Sequence, residues 1–450
     1  MISKISLSNF KAFQEMNDLE IRDLTVIVGR NSCGKSSLMQ SLLLLKQTLD
    51  STSENPLCLE GKYLKFSNLK ELSYGLPAVN AAKIGYDIFL DNTAASGNVK
   101  ISYRNIKKDD LYTPQLSEFT TYLKKDGKTT STPFLPMSKP KIKATYKKYS
   151  HFFGKESEVS LSESEVIFDK FMPESLNLVY KINKPNSDEK IRTLPLPILM
   201  ASDDGSNHLI LQLSQDLKNI RYLSPIRAAP KRAYVHYSQD VSLLNEDGSN
   251  SAHILWAKRE HKVQWKKKTY KLIEAVNKCI KTIGLSQVIS PDKVSDIVYK
   301  VGISESNSGS DVSLADVGFG YSQVLPIVLL GLLNSKENLM LIEQPEIHLH
   351  PSSAGNLADL FLGFVDDGKR FIIETHSQEF INKLRLRVIQ NPELKSKINI
   401  VFVEQNEGES STIKQFEIDE KGMFPEWPSG FIDESEKLAK EILKARMNSL

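Results

Sequence analysis

Nine residues near the amino end, Gly29 to Ser37, read "GRNSCGKSS" and meet the spacing G-x-x-x-x-G-K-S/T without departure. That spacing does phosphate chemistry. Glycines let consecutive backbone N–H groups converge on anionic oxygens, and the helix that follows adds the positive end of its dipole. Gly29, Asn31, Ser32, Cys33, Gly34, Lys35, Ser36 and Ser37 form the expected cradle for ATP. Within it, Lys35 supplies charge at the β- and γ-phosphates, and the Ser36 hydroxyl supplies a ligand for Mg2+.

A second stretch, "LMLIEQPEIHLHP", runs from Leu339 to Pro351. An apolar run ending in an acid can hold a metal beside such a cradle, which makes Glu343 the second expected Mg2+ ligand. The next position is an amide, Gln344. An amide cannot take a proton from water, although it can orient one. Glu346 lies near enough in sequence to serve as the base instead. A third reading has Gln344 standing in for a glutamate and trapping the ATP-bound state. We favour a native glutamine with slow turnover.

Two further segments bear on the same chemistry. "FIIETHSQEF" ends an apolar run with Glu374, Thr375, His376 and Ser377, which places His376 where an imidazole can report the γ-phosphate or serve structure alone. "SLADVGFGYSQVLPI" puts Gly318 and Gly320 ahead of an apolar helix, with Ser322 and Gln323 at its start and Pro326 tolerable in a first turn. An ordinary glycine turn before a buried helix reads the same way.

These residues need elements to carry them. "ISKISLSNF" alternates as a half-buried strand does, and "LTVIVG" is a β-branched run that stops at Gly29. Leu38, Leu42, Leu45 and Leu49 give the following helix one apolar face. "NLMLI", "RFIIE" and "INIVFVE" are short apolar runs with room for helices between the first two, the pattern of a mostly parallel sheet. Between the two ends, "AAKIGYDIFL", "KIKATYKKYS" and "NLVYKIN" predict strands, "KKDGKTTSTPFLPMSKP" a surface loop, and "NSAHILWAKREHKVQWKKKTYKLIEAVNKCIKTIGL" a helical stretch. "DESEKLAKEILKAR" predicts a last helix capped by Asp433. The expected organisation is one α/β head whose halves, 1–55 and 311–450, are interrupted by a large α+β insertion, 56–310.

The bulk composition sets limits. The 450 residues carry 58 lysines and arginines against 55 acids, a net charge of +3, too small to argue for nucleic acid by itself. Three cysteines without metal-ligand spacing argue against a disulfide framework and for a reducing cytoplasm. The opening residues alternate rather than forming a signal peptide, and no apolar run approaches a bilayer span, so no membrane is expected.

Taken in order, "NFKAF", "GRNSCGKSS", "DVGFGYSQVLP", "IEQPEIHLHP" and "ETHS" resemble the ABC-type P-loop ATPases of the SMC, RecF and OLD grouping. "YLSPIRAAPKRAYV" and "FPEWPSGFIDE" are similar to small stand-alone OLD-like ATPases, among them ATPase components of the Septu and PARIS anti-phage systems. The resemblance implies a sandwich dimer in which the signature of one head, here Gly320, Ser322 and Gln323, faces ATP bound by the other. It matches Glu343 to the metal-site acid, His376 to the switch histidine, and Lys11 to a basic position near the nucleotide. It also implies a larger homo-oligomer and a separately encoded effector, an HNH nuclease or a Toprim-like toxin. Two departures stand out: the signature is not LSGGQ, and Gln344 fills the usual glutamate slot. A nuclease centre within this chain is not expected, since "EIDEKGMFPEW" reads as strand and turn.

Two basic stretches remain, Lys139 to Lys148 and Lys258 to Lys271, both interleaved with aromatic residues. Such mixtures track nucleic-acid phosphates, dock acidic partners, or are simply solvated faces.

Overall fold

The computed structural model describes residues 1–91, 96–125, 128–135, 159–182, 190–198, 205–235, 243–295, 297–304, 312–317, 320–424, 441–442 and 444–445. The basic stretch at 139–148, Gly318 and most of the last expected helix lie outside the described residues. The chain divides into two compact units, one of Met1–Glu20 with Gln40–Lys218, the other of Ile21–Met39 with Asn219–Leu450.

The first unit is built on an antiparallel sheet of six strands. Their order is Phe13–Glu20, Ile2–Phe10, Lys83–Leu90, Ser96–Lys108, Leu111–Lys125 and Lys128–Leu135. The alternation read in the first residues becomes a strand with Ile2, Ile5, Leu7 and Phe10 buried. Tyr86, Tyr103 and Phe10 fill the space beneath it, the tyrosine rings edge to face with centroids 6.4 Å apart. A three-stranded sheet, Val159–Asp169, Met172–Ile182 and Lys190–Pro197, belongs to the same unit. So does the helix Ser206–Lys218, which buries Leu209, Ile210, Leu213 and Leu217 at helical spacing.

The second unit holds the sheet that matters for chemistry. Its strand order is Ile220–Leu223, Leu339–Glu343, Arg370–Glu374, Leu24–Gly29, Ile398–Glu404 and Thr412–Phe416. The first five run parallel and only the last pair is antiparallel. All six residues of Leu24–Gly29 are buried, as a central strand covered on both faces requires. Helices Gly320–Leu333, Pro351–Asp366 and Gln378–Gln390 complete the layers. Gly331 allows the first two to approach closely, since a Cβ there would stand 2.3 Å from the Phe364 ring. The mixed α/β class expected from the sequence is the one found.

Three local expectations change. The stretch expected as a surface loop, 124–140, holds the strand Lys128–Leu135, paired with Leu111–Lys125 and burying Phe134 and Thr132. Pro326 is the seventh residue of its helix rather than part of the first turn. It has no N–H to give to the residue four before it, and burial of the surrounding helix carries that loss. The stretch read as helical from Asn250 to Leu285 is helix, hairpin, helix: Ser251–Lys258, then Lys262–Trp265 paired with Lys268–Lys271, then Leu272–Thr282. The alternation of Val263 and Trp265 with exposed neighbours has strand period, which the surrounding lysines, good helix formers, obscured. Lys266 and Lys267 turn the hairpin with φ of 50° and 62°. The Asp367 carboxylate accepts from both their backbone N–H groups, at 2.9 and 2.6 Å. Trp265 packs edge to face on Phe364 at 5.0 Å, which anchors the turn to the end of Pro351–Asp366.

Candidate nucleotide site

Parallel strands point their carboxyl ends, and the loops that follow, to one edge, where helix N-termini also gather. Here that edge joins Gly29, Glu374 and Glu343. The register pairs Glu343 with Glu374 and Glu374 with Ile27. Gly29 has φ of +150°, and a Cβ there would lie 2.3 Å from the Val403 carbonyl oxygen, so the strand end admits only glycine. Gly34 (φ +97°) and Ser32 (φ 62°) curl the loop into the helix Lys35–Asp50. Ser411 braces it by donating to the Cys33 carbonyl at 2.8 Å.

Lys35 is buried, and its ammonium folds back onto the Arg30 carbonyl within the loop rather than onto a carboxylate. Ser36 donates to the carboxylate of Glu374, with Oγ 2.9 Å from Oε2 and 3.2 Å from Oε1. Sequence reasoning assigned the acid beside Ser36 to Glu343. The strand order explains the difference, because Arg370–Glu374 lies between the loop strand and Leu339–Glu343. The visible signal for Glu374 was an acid closing "RFIIE".

Glu343 stands next to it and accepts a hydrogen bond from the Tyr222 hydroxyl at 2.8 Å. Burial, then the neighbouring Glu374, push the Glu343 carboxyl up to about 7, while burial also raises Glu374. Two buried carboxylates and a hydroxyl at a phosphate loop fit a divalent cation, which would relieve their repulsion. Among the described residues no group of three His, Cys, Asp or Glu side chains forms a metal site. A Mg2+ here would complete its shell with phosphate oxygens and water, as Mg2+ commonly does.

Beyond Glu343 the chain turns sharply. Gln344 has φ of 44° and donates its backbone N–H to the Glu374 carbonyl at 2.7 Å. Glu346 Oε1 accepts from the His376 backbone N–H at 2.7 Å, so this carboxylate ties the two strand ends together. The His376 ring is exposed, and partial burial followed by the Lys35 charge hold it below the usual imidazole range. Ser377 caps Gln378–Gln390 by accepting from Phe380 N–H at 3.1 Å.

The remaining expected residues sit elsewhere. Ser322 and Gln323 are buried in the first turn of Gly320–Leu333. Lys11 belongs to the other unit, where its ammonium donates to Gln40 Oε1 and lies 4.7 Å from the centre of the Phe66 ring. Two residues of the stretch "YLSPIRAAPKRAYV", Tyr222 and Arg227, received no site role from the sequence. Arg227 is buried, and its guanidinium reaches the carbonyl of Glu343 at 3.1 Å, that of Gln344 at 3.4 Å and that of Pro225 at 2.9 Å.

A phosphate loop at the carboxyl edge of a parallel sheet, with two neighbouring acid-ending strands beside the loop strand, marks a P-loop ATPase. Residues 1–381 match the AAA_15 family, described as an AAA ATPase domain, and the chain belongs to that family. Residues 395–442 match a protein family of unknown function, DUF3696. No curated protein matches the sequence. Among solved structures the chain is similar to the SMC head domain from Thermotoga maritima, at 13% identity and TM-score 0.40, covering 93% of this chain and 99% of that one. It is also similar to an Smc head bound to the C-winged helix domain of ScpA, at 11% identity and TM-score 0.43, covering 93% and 98%. A third is an Smc head domain with an extended coiled coil, bound to the C-terminal domain of ScpA derived from Pyrococcus furiosus. It stands at 11% identity and TM-score 0.40, covering 98% and 99%.

Proposed function

We propose that this ATPase binds Mg2+·ATP, turns it over slowly, and works as a cytoplasmic homo-oligomeric sensor that restrains or releases a separately encoded effector during phage infection. The observation that carries the reading is a glutamine, Gln344, whose backbone N–H is held by the Glu374 carbonyl at the sheet edge beside the acid pair Glu343 and Glu374. Lys35 would hold phosphates, and Ser36, Glu343 and Glu374 would hold a Mg2+, which when bound would supply charge stabilisation at the terminal phosphate. Gln344 orients water without deprotonating it, which keeps turnover slow. A slow hydrolase suits a sensor because its ATP state persists. The sandwich dimer, the role of Gly320, Ser322 and Gln323 in it, the switch role of His376, and the anti-phage setting rest on the motif resemblance. No described helix is long and apolar enough to cross a membrane.

Gln344→Glu tests this directly. Phosphate release is expected to rise by at least about tenfold, the lower range of general-base contributions being roughly 100-fold. Light scattering with ATP and Mg2+ should show self-association that Lys35→Ala lacks. Wild-type release no higher than in Lys35→Ala, together with an unchanged mass in ATP, would sink the reading.

A second reading, a DNA-tracking ATPase, is favoured by the hairpin Lys262–Lys271. Its exposed lysines include Lys266 and Lys267, held in a left-handed turn that costs about 1–2 kcal/mol per residue. Reversing Lys266, Lys267 and Lys268 to glutamate should then weaken duplex DNA binding at least tenfold and flatten its salt dependence. Equal binding by the triple variant excludes this reading.

A further inference from the structure

The segment "YLSPIRAAP", Tyr222 to Pro230, lies outside the phosphate loop, and two of its side chains converge on the turn that follows the strand Leu339–Glu343. Tyr222 reaches the Glu343 side chain, 2.8 Å from hydroxyl to Oε1. Arg227 reaches the main chain on both sides of the turn's first peptide, at the Glu343 and Gln344 carbonyls. The same Nη1 also donates to the Pro225 carbonyl, so the arginine's own loop is closed around it. The guanidinium is only 7% exposed, and its Nε has no hydrogen-bond partner.

This is a costly arrangement. A buried guanidinium gives up hydration, and burial draws Arg227 down to about 10 against the opposing pull of Glu346, Tyr222 and Glu343. The chain accepts a second cost at the same place, since Gln344 sits at φ of 44°, a region that side chains other than glycine enter reluctantly. Each cost accounts for the other. The Gln344 backbone is held at its N–H by the Glu374 carbonyl, 2.7 Å away, and at its carbonyl by Arg227. With both ends of the residue fixed, its Cα–Cβ direction is fixed too. Strain of this kind persists only where surrounding contacts over-determine it.

We propose that Arg227 is a positioning residue for hydrolysis, a three-carbonyl clamp that holds Gln344 in its left-handed conformation so that the amide faces the attacking water. Tyr222 is the companion that sets the Glu343 carboxylate. The proposal rests on the reading of this edge as an ATP-hydrolysing site. Planar guanidinium geometry is essential to it, because a lysine ammonium in the same place is a point charge that cannot span two successive carbonyls and a third.

The test compares wild type, Arg227→Lys and Arg227→Met for kcat and KM with Mg2+·ATP, with thermal melts of each. Both variants are expected to lose at least tenfold in kcat while KM stays within about twofold, since the phosphate loop is untouched. Arg227→Lys keeps charge and length, so it reports the geometry even where Arg227→Met melts early. A folded Arg227→Lys with wild-type kcat overturns the clamp, and so does a variant whose KM rises in proportion to its loss of rate. A wild-type rate no higher than that of Lys35→Ala is a distinct result, which refutes the hydrolytic reading and the clamp with it.

Discussion

Lys35→Ala is expected to lower ATP affinity by about 100-fold or more, with the apo protein still folded. The side chain is 4% exposed, and its ammonium rests on a carbonyl of its own loop. That contact is a parking place that a phosphate oxygen would outcompete, because a charged acceptor makes the stronger bond. Truncating one partner of a buried charge pair costs about 2–5 kcal/mol, and each 1.4 kcal/mol is tenfold in affinity. Apo stability should change little, since a buried ammonium and its desolvation leave together. Calorimetric titration with a slowly hydrolysed ATP analogue measures the first effect and a thermal melt the second. Affinity within threefold of wild type would remove Lys35 from the site.

The second large effect has opposite signs for stability and activity. Glu343 ionises near 7 in the folded chain against an ordinary value of 4.5, through burial and the adjacent Glu374. A carboxyl whose folded pKa lies above its unfolded value binds its proton more tightly when folded. Stability is therefore lost as pH rises through the interval from 4.5 to about 7, and the full penalty, on the order of 3 kcal/mol, stands above it. Glu343→Gln removes that penalty while leaving the Tyr222 hydroxyl an amide oxygen to donate to. The variant without metal should melt several degrees above wild type at pH 8 and close to it at pH 4. Turnover with Mg2+·ATP should fall about 100-fold or more, as losses of charge-stabilising groups do. Added Mg2+ and nucleotide should stabilise wild type more than the variant. Identical melting temperatures at pH 8 would mean the two carboxylates do not burden the empty fold.

Some of this was legible from local residue types. The loop Gly29–Ser37 carries its geometry in its own sequence, because a glycine-only φ at Gly29 and Gly34 and a helix starting at Lys35 are short-range properties. The apolar runs ending at Gly29, Glu343 and Glu374 likewise declared buried strands and the acids that close them. The hairpin at Lys262–Lys271 was misread for a local reason too. Four-residue strands give too few positions for a period of two to outweigh helix-favouring lysines.

What the sequence determined by itself, then, was the inventory: a phosphate loop, one acid for the metal, an amide where a base is usual, and an α/β sheet to hold them. The tertiary structure decided which groups meet. Strand order seats Arg370–Glu374 between Leu24–Gly29 and Leu339–Glu343, so Ser36 meets Glu374 across 338 positions of chain. The parallel pairing of Ile220–Leu223 with Leu339–Glu343 brings Tyr222 to Glu343 and Arg227 to the turn beyond, more than a hundred positions away. Dihedral preference and hydrophobic period act over a few residues and are written in them. Hydrogen-bond partners across a sheet depend on which strands lie side by side, and that is settled only when the whole core packs.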